Sequence, residues 1–174
     1  MAIQDCARAA VRYFTREEAI IIVAIGGPES GYRVDAEGDA WFAFPLDQQP
    51  EYRRWSCRNA TAFGWLQVNL RWNHEHVQRL SGATAPCDMA AWLENYDNSA
   101  HAGRVVWDNQ GPGAWSAYNT GDYRNWLADA NDAVDVALGF APSPGLVHPV
   151  EPPSAAVEPP LVAVEPPSAP IRLE

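Results

Sequence analysis

Glu29 is the residue of this chain whose position best suits acid–base chemistry. It directly follows the apolar run 19–25 and the Gly-Gly-Pro triplet 26–28. A carboxyl group there would lie between an apolar core and solvent, and partial burial favours the protonated form that a general acid must supply. A glutamate at a helix end is more often a solvated surface residue, so the position alone does not assign the role.

Three further segments contain motifs that occur together and in order. They are residues 28–39 (PESGYRVDAEGD), 62–69 (AFGWLQVN) and 114–123 (AWSAYNTGDY). In this combination the chain resembles the lytic transglycosylase and goose-type lysozyme superfamily. The resemblance is greatest to the short domains of bacteriophage tail and virion proteins. It covers about residues 15–138 and leaves the C-terminal tail out.

The resemblance implies a role for each residue of the Glu-Ser-Gly motif. Glu29 would be the catalytic acid that protonates a glycosidic oxygen. Ser30 would hold the carboxyl group of Glu29 through a hydrogen bond, although a capping or turn role is the alternative. Gly31 would let the substrate approach the backbone closely.

Four polar or aromatic residues are expected to bind the substrate on the same grounds. Gln67 and Asn69 would present amides to the N-acetyl groups of a glycan, with turn stabilisation as the alternative. Tyr118 would orient the carboxyl group of Glu29 or bind a sugar, with core packing as the alternative. Asn119 would lie beside it on the opposite wall of the groove.

The reaction implied by the resemblance is cleavage of the β-1,4 bond between N-acetylmuramic acid (MurNAc) and N-acetylglucosamine (GlcNAc) in peptidoglycan. Lytic transglycosylases need a single acid, because the 2-acetamido group or the 6-hydroxyl of the substrate completes the reaction and leaves a 1,6-anhydro product. Goose-type lysozymes use additional aspartates, and most glycosidases use two carboxylates. The sequence favours the single-acid mechanism and leaves Asp35, Asp39 and Asp47 as candidates for a second carboxylate.

The elements that must position these residues are mostly helical. Thr15 and Glu18 form a capping-box pattern before the apolar run, which predicts a central buried helix from Arg16 to about Gly26. Residues 62–69 predict a small β hairpin, and residues 39–59 form an aromatic, loop-like insert. Further helices are predicted over 70–80, 97–110 and 123–138, with Gly139 as the last C-cap. The predicted fold class is mostly α, of the α+β lysozyme-like kind.

The composition changes near Gly139, which divides the chain into a domain of residues 1–139 and a Pro-rich tail of residues 140–174. Ten of the 15 prolines fall between Pro142 and Pro170, in a repeat of seven residues (VEPPSAA, VEPPLVA, VEPPSAP). Proline removes a backbone donor and restricts φ, so the tail is predicted to be extended. It would be either a passive linker or a tether that docks on virion or tail proteins.

The net charge and the N-terminal residues indicate which kinds of partner and which cellular location to expect. The formal net charge is −10, which argues against nucleic acid as a partner because phosphate binding needs clustered cations. The first residues lack a signal peptide, and the apolar run is too short to span a membrane. Peptidoglycan glycan strands are the expected partner, and the expected location is the virion, or the host cytoplasm before release.

The cysteines and histidines suggest no metal site, and no cofactor is predicted. The three cysteines match no zinc pattern. Free buried thiols are the favoured interpretation, although a bridge between Cys57 and Cys87 is an alternative. His74 and His76 are two residues apart and would not face one side of a helix. Solvated surface positions are expected for all four histidines.

Two other hypotheses compete with an active enzyme. One is a structural virion or assembly protein that keeps a lysozyme-like fold with little or no activity. The other is an unrelated helical domain in which the motifs coincide by chance. The second predicts that Glu29, Gln67 and Tyr118 do not line one cleft.

Overall fold

The computed structural model describes residues 2–140 of the chain. This part contains eight α-helices and one small sheet. The helices are α1 (Ala2–Ala10), α2 (Arg16–Ser30), α3 (Gln49–Arg54), α4 (Leu70–Ser81), α5 (Pro86–Leu93), α6 (Tyr96–Gln110), α7 (Ser116–Thr120) and α8 (Leu127–Ala137). Short 3₁₀ turns cover Trp41–Ala43, Pro112–Ala114 and Asp122–Trp126. The prediction of a mostly helical fold is confirmed.

Helix α2 is the central element of the core. It packs against α1, α8 and the 3₁₀ turn Asp122–Trp126, and Ile22, Val23 and Ile25 are fully buried. Its N-terminus has the predicted capping box, in which the Thr15 hydroxyl accepts from the Glu18 N–H and the Glu18 carboxylate accepts from the Thr15 N–H. Burial of its apolar residues therefore stabilises α2 far more than helix propensity does.

The predicted end of α2 at Gly26 is wrong, because the helix continues to Ser30. A Cβ atom on Gly26 would lie 2.7 Å from the Trp65 ring, and one on Gly27 would lie 2.5 Å from the Trp126 ring. The two glycines thus allow indole rings to pack directly on the helix backbone, and this packing outweighs their low helix propensity. Pro28 removes one N–H donor in the last turn. The C-cap is Gly31, in the left-handed conformation at φ 62°.

The sheet contains the predicted hairpin and one strand more. β2 (Ala62–Phe63) and β3 (Val68–Asn69) pair antiparallel, and β1 (Glu37–Gly38) pairs with the other edge of β2. The turn between β2 and β3 has positive φ at Gly64 (76°) and at Gln67 (50°). This sheet carries the second sequence motif to the C-terminal end of α2.

Several other helix boundaries differ from the predictions. Asn69 caps α4 and Gly82 ends it, close to the predicted bounds. Asn95, outside the predicted range, caps α6. The last α-helix begins at Leu127 rather than near Tyr123, and its C-cap is Leu138 rather than Gly139. The sequence did not predict α1, α5, α7 or the short α3 within the aromatic insert, because short elements give little periodic signal.

The favoured interpretation of three free thiols is wrong for two of the cysteines. Cys57 and Cys87 form a disulfide with a Cα–Cα distance of 4.9 Å. It links the end of the aromatic insert to the first turn of α5. Cys6 is free and buried, and burial raises the pKa of its thiol, so it is a poor nucleophile at neutral pH.

Residues 2–140 belong to one compact unit, and residues 141–174 lie outside the described part of the chain. The predicted extended tail, with its seven-residue repeat and His148, falls almost entirely in that part. Among the helices of residues 2–140, none has the length and apolar character needed to cross a lipid bilayer.

Candidate active site

A cleft of about 310 Å³ lies at the C-terminal end of α2. This volume is at the lower end of the range typical of ligand pockets. Helix α2, the sheet, α4, α6, the aromatic insert and the start of α7 all contribute to its walls. The lining residues are Glu29, Asp39, Phe44, Tyr52, Ala62, Gln67, Val68, Asn69, Trp72, Asn73, Val106, Gln110, Ala114, Trp115 and Ser116.

Glu29 lies in the last turn of α2 and is half-buried. Its Oε1 accepts two hydrogen bonds, from the Ser116 hydroxyl at 3.0 Å and from the Ala117 N–H at 3.0 Å. Within residues 2–140, no hydrogen bond reaches its Oε2. The carboxyl group is thus anchored through one oxygen, while the other is free to exchange a proton with a molecule in the cleft.

The start of α7 provides both anchors of Glu29. Ala117 is the second residue of α7, and the N–H groups of a first helical turn have no partner inside the helix. Glu29 satisfies one of these groups, so the contact also caps α7. The third sequence motif is therefore joined to the first through Ser116 and Ala117, two residues for which no role was predicted.

Asp39 is the second carboxylate on the cleft wall. Its Oδ2 accepts a hydrogen bond of 2.7 Å from Asn69 Nδ2, and its backbone has a positive φ of 54°. Asp35 instead pairs with Arg33 at 3.2 Å and is largely exposed. Asp47 is exposed and does not line the cleft. Of the three aspartates that the sequence left as candidates for a second carboxylate, Asp39 thus lines the cleft, and Asp35 and Asp47 do not.

Gln67 and Asn69 line the cleft, but their side chains are held by the protein itself. Gln67 Nε2 donates to the carbonyl oxygens of Ala36 and Gly64, both at 3.0 Å. Asn69 Oδ1 accepts from the Arg71 N–H, and its Nδ2 binds Asp39. The turn-stabilising alternative thus describes contacts that are present, and substrate binding by these residues stays a prediction.

Ser30 and Gly31 have local roles in ending α2. The Ser30 hydroxyl donates to the carbonyl oxygens of Gly26, at 3.0 Å, and Trp65, at 2.8 Å. It does not hold the carboxyl group of Glu29 as expected, because Ser116 does so. A Cβ atom on Gly31 would meet nothing within 4 Å, and the left-handed conformation of the cap favours a glycine here. The close approach of a substrate to its backbone stays a prediction.

Tyr118 and Asn119 do not line the cleft. The Tyr118 ring stacks on Tyr123 with 4.9 Å between ring centres. Asn119 is exposed, and its Nδ2 donates to the Gly113 carbonyl oxygen at 2.9 Å. The structure therefore unites Glu29 and Gln67 in one cleft but leaves Tyr118 out of it. The requirement that all three residues line one cleft is therefore not met, and on this point the structure agrees with the hypothesis of an unrelated helical domain.

The aromatic insert provides a wall of the cleft that the sequence did not predict. Phe44 and Tyr52 both line the cleft, and their rings stack with 3.6 Å between centres. Trp55 stacks on His74 at the same separation, so the expectation of a solvated histidine is wrong for His74. The sequence did contain a signal for this wall. Many aromatic residues lie between Trp41 and Trp55, and their spacing has neither helical nor strand periodicity.

Fold and cleft together define a small, mostly helical domain whose groove carries two carboxylates and an aromatic wall. Among residues 2–140, no three His, Cys, Asp or Glu side chains cluster as a metal site would require. No model of a known family, no curated protein and no solved structure matches the chain significantly. The function must therefore be inferred from the chemistry of the groove and from the motifs.

Proposed function

We propose that this protein is a peptidoglycan-cleaving enzyme that breaks the β-1,4 bond between MurNAc and GlcNAc, with Glu29 as its catalytic acid. The observation that carries the proposal is the anchoring of one Glu29 oxygen by Ser116 and Ala117, with the other left free in a cleft. A proton donor must be held in a fixed geometry while it remains accessible to the reacting bond.

The fold supports the same proposal. A buried helix that ends at an acidic residue, beside a small antiparallel sheet, is the arrangement expected of a lysozyme-like domain. The sheet carries Gln67 and Asn69 to the cleft, and the Glu-Ser-Gly motif closes the helix. We therefore infer the α+β lysozyme-like class from the joint placement of the first two motifs.

In the proposed reaction Glu29 donates its proton to the glycosidic oxygen as the bond from C1 of MurNAc to that oxygen breaks. The 6-hydroxyl of the same MurNAc then attacks C1 and forms the 1,6-anhydro ring. The proton of this hydroxyl returns to Glu29, so the enzyme ends in its starting state. One carboxyl group therefore acts first as the acid and then as the base, which is the lytic transglycosylase route.

Asp39 supports a variant of this mechanism. A carboxylate on the wall of the same cleft could instead activate a water molecule, which would give hydrolysis and a reducing MurNAc end. The Asn69 hydrogen bond fixes the position of the Asp39 carboxylate and occupies its Oδ2. Within residues 2–140 each of the two carboxyl groups therefore keeps one oxygen free of hydrogen bonds. The single-acid route is favoured by the resemblance of the motifs to those of lytic transglycosylases.

We also propose that the protein acts from a phage particle on the host cell wall, with the Pro-rich tail as the tether to virion or tail proteins. The motifs resemble those of virion-associated domains, and the tail repeat is suited to an extended spacer. The Cys57–Cys87 disulfide is compatible with work outside a reducing cytoplasm.

A digest of purified peptidoglycan, analysed by mass spectrometry, tests the enzyme proposal. Wild-type protein should release 1,6-anhydro muropeptides, and Glu29→Gln should release at least about 1,000-fold less because it cannot donate the proton. Asp39→Asn should keep the anhydro products. Circular dichroism would show that both variants remain folded.

The other outcomes of the digest are equally informative. Reducing-end products that disappear in both variants would replace the lyase with a hydrolase in which Asp39 activates water. No products from walls of several chemotypes would overturn the enzyme proposal in favour of a structural virion protein with a lysozyme-like fold.

A further inference from the structure

Trp72 is the most exposed tryptophan of the described residues and lies on the wall of the proposed active-site cleft. Its residue surface is 64% exposed. It lies in the first turn of α4, whose buried positions are Leu70, Asn73 and Val77. Trp72 therefore points away from the core, and a large exposed ring in a concave site is a more informative feature than an isolated apolar residue on a convex surface.

The ring of Trp72 is held in place by Arg71. The guanidinium carbon of Arg71 lies 3.6 Å from the centre of the Trp72 ring and 4.6 Å from that of Tyr52. Arg71 Nη2 also pairs with Glu51 Oε2 at 2.6 Å, and the Arg71 side chain is largely buried. A fixed cation thus covers one face of the indole and favours its orientation. Since most of the residue is still exposed, the opposite face is open.

An open aromatic face in a glycan cleft has a specific chemical use. The axial C–H bonds of a pyranose ring form a flat apolar face, and their partly positive hydrogens are attracted by the negative face of an aromatic ring. Phe44 and Tyr52 extend the same wall with aromatic surface. A strand of N-acetylated sugars supplies such a face at every residue, whereas a peptide or a phosphate-rich polymer does not.

We propose that Trp72 is the stacking platform for one sugar ring of the bound glycan strand, and that Arg71 is the positioning residue that sets the plane of the indole. This assignment rests on the proposed function, because it takes its ligand from the cleft that contains Glu29. The assignment also explains a role of the aromatic insert, because Tyr52 and Glu51 of that insert hold Arg71 against one face of the Trp72 ring.

Calorimetric binding of a tetramer of GlcNAc tests the assignment without any cleavage. All variants carry Glu29→Gln, so the ligand stays intact and binding is measured apart from catalysis. Trp72→Ala should weaken binding about tenfold or more, and Trp72→Phe should recover part of the loss because a smaller aromatic face remains. Phe140→Ala is the matched control, since Phe140 is also exposed, at 59%, but does not line the cleft.

Each result has a distinct meaning. Equal affinity of Trp72→Ala and its parent would overturn the stacking role while leaving the proposed function intact. No binding of the tetramer or of soluble glycan strands by the parent would overturn both. A loss that Trp72→Phe does not recover at all, with folding intact by circular dichroism, would also contradict stacking and would point to a hydrogen bond from the indole N–H.

Discussion

Among single residues, the carboxyl group proposed as the catalytic acid depends on partners far away in the sequence. Glu29 and Ser116 are 87 positions apart, yet their side chains form a 3.0 Å hydrogen bond. Chemistry at Glu29 therefore requires that α7 be correctly placed against the end of α2. The same dependence holds for Asp39, which directly follows β1. Its carboxylate is fixed by Asn69 of β3, the strand at the opposite edge of the sheet.

Replacement of Ser116 by alanine tests the role of this anchor. We expect Ser116→Ala to reduce kcat for peptidoglycan cleavage about tenfold, because the Ser116 hydroxyl would stabilise the carboxylate that forms as Glu29 gives up its proton. A hydrogen bond to a charged group contributes roughly 1.5–3 kcal/mol, and solvent replaces part of it here. Initial rates of muropeptide release measure the effect. Ser81→Ala is the matched control, since the Ser81 hydroxyl bonds the Val77 carbonyl at the end of α4. An unchanged kcat would mean that Ala117 alone orients Glu29.

At the scale of elements, two tryptophans determine how far α2 extends. Trp65 from the hairpin turn and Trp126 from the last 3₁₀ turn pack on Gly26 and Gly27. They give the helix the neighbours it needs to continue through a Gly-Gly-Pro sequence. Glu29 consequently projects from a helical turn instead of a loop, which fixes its direction relative to the cleft.

Adding a methyl group at this contact should disturb both stability and the site. We expect Gly27→Ala to lower the free energy of unfolding by about 2 kcal/mol, because overpacking of the Trp126 ring outweighs the roughly 1 kcal/mol gained in helix propensity. Urea denaturation measures the change. At Gly113 a Cβ atom would meet only Asn119 Oδ1 at 3.5 Å, so Gly113→Ala should stay within about 0.5 kcal/mol of wild type. Equal stabilities of the two variants would contradict the packing argument.

At the scale of the whole molecule, the disulfide links the aromatic insert to the helical domain. The Cys57–Cys87 bridge closes a loop with a sequence separation of 30 residues. The segment just before Cys57 carries Tyr52, which supports Arg71 and so the wall of the cleft. Cross-linking reduces the entropy of the unfolded chain and should also keep this wall attached to the domain.

Removing the bridge should therefore destabilise the fold. We expect the double variant Cys57→Ser, Cys87→Ser to lose about 3.7 kcal/mol of stability by the loop-closure argument for a separation of 30 residues. Reductant should lower the urea midpoint of wild type but should leave the double variant unchanged, which separates the bridge from the buried thiol of Cys6. Insensitivity of wild type to full reduction, verified by thiol titration, would show that the bridge contributes nothing measurable.

The local features of this protein are encoded in short stretches that can be interpreted without the fold. The Thr15–Glu18 capping box, the apolar run of α2, the hairpin at residues 62–69 and the helix that starts at Leu70 are encoded in short stretches, because caps, hydrophobic periods and turns involve near neighbours. Glu29 was a candidate for the same reason, since it lies just after the apolar run in the sequence.

Features that depend on distant residues become visible in the folded chain alone. Tertiary packing extended α2 beyond its glycines, paired Cys57 with Cys87 and selected Asp39 among three aspartates. It also assigned the anchoring of Glu29 to Ser116 rather than Ser30. Each of these depends on which surfaces meet in the folded chain, and side-chain packing between elements far apart in the sequence leaves no periodic pattern that could reveal it.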